Sequence, residues 1–187
     1  MKQFILIFSI LLLGASTLFA QKQLTRTGKI VFLSETPVEN IEAVHNQVTS
    51  IFNTENGDLV FSLLMKGFQF EKELMQEHFN EKYVESDKFP KSTFKGSISN
   101  MADVDLSKDG TYPVKVEGSL IIHGVTQPVS VDGTLTIKGE NITAEATFPV
   151  VLADYKVEIP SVVRDNIAQE VSIHVLMNYE PFKKSGK

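Results

Sequence analysis

The chain has 187 residues, no cysteine and no tryptophan, and its 18 basic and 23 acidic side chains leave a formal net charge of −5 at pH 7. Without cysteine there are no disulfides, thiolate metal sites, thiol nucleophiles or lipid-modified cysteine. The acidic balance argues against a nucleic-acid partner, because phosphate binding is driven by clustered lysine and arginine.

Lys2 gives a positive start, residues 4–13 form an apolar run broken by Ser9, and residues 14–20 turn small and mixed. That order matches the three regions of a secretory signal peptide. The run is too short for a permanent anchor, which needs about 20 predominantly apolar residues. Cleavage is expected after Ala20, making residues 1–20 the signal peptide and 21–187 a single domain. Loss of Lys2 leaves the mature chain with 17 basic against 23 acidic residues, a net charge of −6. No second apolar stretch follows, so the expectation is a periplasmic protein with no membrane span after cleavage.

Strands are expected over residues 29–34, 41–53, 58–65, 94–99, 112–122, 127–137, 141–151 and 170–179. Several alternate apolar and polar side chains, the signature of a sheet dry on one face and wet on the other. Val114, Val116, Leu120 and Ile122 oppose Lys115, Glu117 and Ser119. Val129, Val131, Leu135 and Ile137 oppose Ser130, Asp132, Thr134 and Thr136, and Ile142, Ala144, Ala146, Phe148 and Val150 continue the pattern. Asn56-Gly57, Asp109-Gly110, His123-Gly124 and Gly139-Glu140 fall between strands as turn pairs. Together these give an antiparallel meander. Between the third and fourth strands, Phe70, Leu74, Met75, His78, Phe79 and Tyr83 recur at helical spacing opposite Glu71, Lys72, Glu73, Gln76, Glu77 and Glu81. One short amphipathic helix is predicted there. The fold class is all-β, an antiparallel barrel of about eight strands with the helix at one end, or else a two-sheet sandwich.

Catalytic chemistry finds little support. His45, His78, His123 and His174 lie far apart, with no H-E-x-x-H spacing. No G-x-S-x-G elbow is present, and Asp103, Asp105 and Asp109 do not follow the EF-hand order. Glu71 with Glu73 reads as a solvated helix face, and Asn141-Ile142-Thr143 matches a glycosylation triplet of chance frequency. No catalytic residue, metal ligand or cofactor is assigned. An enzyme would have to assemble its site from distant residues, with His78 and Asp154 the ones to test.

The dominant feature is apolar bulk facing one way: Phe61, Leu63, Val116, Leu120, Leu135, Phe148, Val171, Ile173 and Val175 on strands, with Phe68, Phe70, Leu74, Met75 and Phe79 about the helix. These are the candidate lumen and gate residues. A barrel of about eight strands either fills with such side chains or holds one small ligand. Both readings stand at this point.

Two stretches carry a resemblance. Residues 79–96, F-N-E-K-Y-V-E-S-D-K-F-P-K-S-T-F-K-G, resemble the YceI-like family's segment in which an aromatic-rich helix runs into F-P and a T-F strand. Residues 116–129, V-E-G-S-L-I-I-H-G-V-T-Q-P-V, resemble its motif G-x-L-x-[ILV]-[HN]-G-V-T-x-P-V, and residues 167–171 are similar to the start of its closing strand. The family's usual tryptophan and histidine-serine opening is replaced by Thr27-Gly28-Lys29-Ile30-Val31-Phe32, and Val151-Leu152-Ala153 stand where an arginine usually precedes the pair Asp154-Tyr155. The resemblance implies a lipocalin-like barrel that binds a long apolar chain, a polyisoprenoid, lipid or quinone, in its lumen without catalysis. A filled barrel serving as an envelope interaction or stress module is the alternative function, and a homodimer is compatible with either.

Overall fold

The computed structural model describes residues 22–182; the expected signal peptide and cleavage site lie outside the described residues. The strands are β1 (Lys22–Glu35), β2 (Asn40–Asn53), β3 (Asp58–Leu64), the two-residue β4 (Gln69–Phe70), β5 (Lys91–Ile98), β6 (Gly110–Ile122), β7 (Val125–Lys138), β8 (Asn141–Val151) and β9 (Glu170–Pro181). The one α-helix among the described residues, α1 (Glu73–His78), runs into a π-helical turn at Phe79–Tyr83. Among the described residues no helix is long and apolar enough to cross a membrane.

All strand pairings are antiparallel, in the order β1-β9-β8-β7-β6-β5-β3-β2, and β2 pairs back onto β1, so eight strands close a barrel. Ile30 of β1 illustrates the closure, standing opposite His45 on one side and Val175 on the other. β4 is the extra strand and pairs with Ala43 and Val44 of β2. The single closed sheet decides between barrel and sandwich.

β1 begins seven residues before the expected strand. Register shifts between Thr25 and Gly28 and again before Ile30 interrupt its pairing. Such bulges swap the face that each following side chain takes. Gln23 and Thr25 are buried on one side of the irregularity, and Gly28 and Ser34 on the other, so no single alternation runs through the strand.

One end of the barrel is packed shut. Phe52, Leu135, Ile137, Ile142, Met177 and Tyr179 are almost wholly buried there. The Tyr179 hydroxyl lies 2.6 Å from Ser50 Oγ, and burial pushes its ionisation far above the usual tyrosine range. At the other end lie the hairpin between β1 and β2, the helical segment of residues 65–90, the His123-Gly124 turn and the long connection of residues 152–169. The two motif stretches meet here. The Phe89 ring packs edge-on against His123, with centroids 4.6 Å apart. Gly124 has φ +72°, and a Cβ on it would lie 2.6 Å from the Phe89 ring.

Candidate ligand cavity

The barrel is hollow. Strand alternation turns Val114, Val116, Leu120 and Ile122 of β6, Val129, Val131 and Leu135 of β7, and Phe148 and Val150 of β8 onto one interior wall. The space between them survives because small residues, Gly133, Ala144 and Ala146, take wall positions on β7 and β8. Gly133 stands opposite Ala146 and Leu135 opposite Ala144. A Cβ on Gly133 would lie 2.7 Å from the Glu145 carbonyl oxygen. The cavity measures about 420 Å³, within the roughly 300–1,000 Å³ common for ligand sites. A cavity of roughly 150 Å³ lined by aliphatic residues holds benzene, so this one suits a chain on the order of 15–20 carbons.

A cluster of four phenylalanines lies toward the helical end of the wall. Phe32 of β1 contacts Phe68, Phe70 and Phe79 with centroids 5.6–5.8 Å apart, and Phe70 meets Phe79 at 5.1 Å. The short helix and π turn make this geometry. Gln76 Oε1 accepts the Phe70 N–H at 3.2 Å, and the Val84 N–H reaches back to the Phe79 carbonyl at 2.9 Å. Outside the aromatic cluster, three segments are clasped by polar contacts. Lys72 Nζ donates to Glu39 Oε1 at 2.8 Å, and Asn166 Nδ2 approaches Glu39 Oε2 at 3.5 Å. The Ala168 N–H donates to Ser34 Oγ at 2.8 Å. Lys72 holds the Glu39 carboxyl below its ordinary range.

Of the fourteen residues singled out from the sequence, thirteen lie on the cavity wall: Phe61, Leu63, Phe68, Phe70, Met75, Phe79, Val116, Leu120, Leu135, Phe148, Val171, Ile173 and Val175. Leu74 does not; its side chain is 61% exposed. Successive helical residues are about 100° apart, so once Met75, His78 and Phe79 face inward, Leu74 turns to solvent. Also on the wall, though not among the fourteen, are Tyr83 of the predicted helix face, Phe32, and Leu152, Tyr155, Val157, Val163, Asn166 and Ile167 of the 152–169 connection. Phe32 shares its strand face with Ile30. The connection has no periodicity, and nothing short of the folded chain brings it to the cavity.

The histidines are scattered. His45 is 2% exposed; its Nε2–H donates to the Leu64 carbonyl at 3.0 Å, while Nδ1 accepts the Gln47 N–H at 3.1 Å. That pair of contacts fits the neutral ring, and burial lowers its pKa. His45 thus bridges β2 to the end of β3 where their ladder has stopped. His123 spans Tyr155 O and Glu85 Oε2, and His174 lies on the outer face beside Thr147. His78 alone of the four is on the wall, and Asp154 is not on it. Among the described residues no three His, Asp or Glu side chains converge as a metal site.

A closed antiparallel barrel with an apolar chamber under an aromatic cap defines a hollow, lipocalin-like β-barrel protein. The chain belongs to the YceI-like domain family, whose profile matches residues 21–179. Among solved structures it is similar to a polyisoprenoid-binding domain from Saccharophagus degradans implicated in plant cell wall breakdown, at 15% identity and a TM-score of 0.76, covering 87% of this chain and 99% of that one. It is similar to BcnA of Burkholderia cenocepacia, at 16% identity and a TM-score of 0.67, covering 81% and 95%. The YceI protein of Campylobacter jejuni follows at 13% identity and a TM-score of 0.55, covering 74% and 82%. At these identities the likeness establishes the fold. Comparison with curated proteins finds no significant match.

Proposed function

We propose that the protein is exported to the periplasm and there carries or sequesters a long apolar molecule of the polyisoprenoid, lipid or quinone class inside its barrel. The observation that carries this reading is the cavity of about 420 Å³ with an almost wholly apolar wall. Each Å² of apolar ligand surface withdrawn from water contributes roughly 25 cal/mol, so such a chain binds without a charged anchor. The polyisoprenoid-binding neighbour supports the ligand class, and the leader-like residues 1–20 support export. Helix α1 and the adjoining turns form the gate, closed by the contacts of Lys72 and Asn166 with Glu39. The cavity tells against a filled interaction module.

Native mass spectrometry of protein from envelope extracts tests the reading. The expected result is an added apolar mass that Phe148→Asp or Leu120→Asp abolishes. Ala144→Leu, which fills the chamber from its narrow wall, should keep the fold and lower affinity for a 20-carbon chain at least tenfold. Repeated recovery of bare protein that takes up no isoprenoid, lipid or quinone in vitro would sink the carrier function.

A further inference from the structure

The charge on the wall narrows the cargo further, an inference that rests on the carrier reading. Among the described residues the charged side chain at the cavity is Glu39; Glu145 adjoins it while its carboxylate lies on the outer face, 3.8 Å from His174 Nε2, and no lysine or arginine lies on the wall. Lys72, which reaches Glu39 at the mouth, has its ammonium 2.8 Å from that carboxylate and is thereby engaged. Around that mouth, the segments 65–90 and 152–169 carry more acidic than basic side chains. Tyr83, Tyr155 and Asn166 bring uncharged hydrogen-bonding groups to the same wall. Burial raises the ionisation of both tyrosines, so their hydroxyls stay protonated as donors.

An anion moved into apolar surroundings without a counter-charge loses far more hydration than it regains, and a carboxylate alongside adds repulsion. A head group left at the mouth still meets Glu39. We infer that the cavity selects a chain with an uncharged, hydrogen-bonding head, such as an isoprenoid alcohol or quinone, and discriminates against the same chain bearing a diphosphate.

Displacement of the neutral apolar dye N-phenyl-1-naphthylamine from the purified chain tests this at pH 8. Geranylgeraniol should displace it at a concentration at least tenfold below that of geranylgeranyl diphosphate, each kept below its aggregation limit. Glu39→Gln, which removes a wall charge and releases Lys72, should narrow that gap several-fold. Equal or stronger displacement by the diphosphate overturns the selection while leaving the carrier reading intact. So does a gap that Glu39→Gln leaves unchanged. Diphosphate binding that disappears in His78→Gln also overturns it, by tracing an anion site to the one wall residue able to carry positive charge. Displacement of the dye by neither compound removes the carrier reading and the selection together.

Discussion

The two ends of the barrel are closed by different means. At the packed end, side chains from neighbouring strands fill the interior directly, so Phe52 and Tyr179 are almost inaccessible to water. At the other end the strands stop, and a phenylalanine cluster held by a six-residue helix, a hairpin and a long connection does the covering. Of the exposed large apolar side chains, Val38, Leu64, Leu74, Val151 and Val162 belong to the capped end, while Ile51, Val60 and Phe182 lie toward the packed one. A barrel floor built from paired strands is rigid by construction. A cap built from loops can part without disturbing the ladder.

This contrast is open to attack by substitution. Phe52→Ala should cost about 3–5 kcal/mol, because it leaves a void where the wall cannot collapse; urea unfolding would read it, and a loss under 1 kcal/mol would mean the floor is not tightly packed. Gly67→Ala comes next, at about 1–3 kcal/mol, since its Cβ would lie 2.2 Å from His45 Nε2 and must displace the ring from Leu64.

The same histidine sets a pH dependence. Its folded pKa lies below the ordinary 6.5, so the unfolded chain takes up a proton more readily. Its contribution is therefore full above about pH 6.5 and is lost as pH falls toward the lowered value. The urea midpoint should drop between pH 7.5 and 5.5, and His45→Gln should flatten that drop. A wild-type midpoint that holds or rises over this interval would contradict the assignment.

The smallest effects belong to the outer cap. Leu74→Ala should change stability by less than about 0.5 kcal/mol, as surface substitutions usually do. Lys72→Met should barely move the melting temperature, because the Lys72 side chain is 62% exposed, yet it should speed the exchange of a bound apolar dye several-fold. If exchange were unaffected, the clasp would have no part in gating.

Much of the barrel was legible where one face is dry and the other wet. The seventh expected strand, residues 141–151, has the bounds of β8 in the fold, because Ile142 to Val150 alternate without a break. β1 was read short because its bulge moves the buried side from Gln23 and Thr25 to Gly28 and Ser34. The wall residues on strands followed from the same alternation. Leu74 did not, since a helix of six residues offers too narrow a stripe to phase. Hollowness was not legible either. It depends on Gly133 falling opposite Ala146 and Ala144 opposite Leu135, which only the register of β7 with β8 decides.

The pairing of β1 with β9 carries a consequence for how the chain reaches this state. The ladder from Lys29–Leu176 to Leu33–Ser172 joins the first strand to the last. Contacts between such distant segments must overcome loop-closure entropy before they yield any stabilisation, and β topologies of this kind fold in milliseconds to seconds. Until β9 arrives, β8 and β1 each present an unpaired edge, the form of strand most prone to join another molecule. Closure of the chamber therefore requires the two ends of the chain to meet, and a chain lacking β9 should leave both edges open and aggregate.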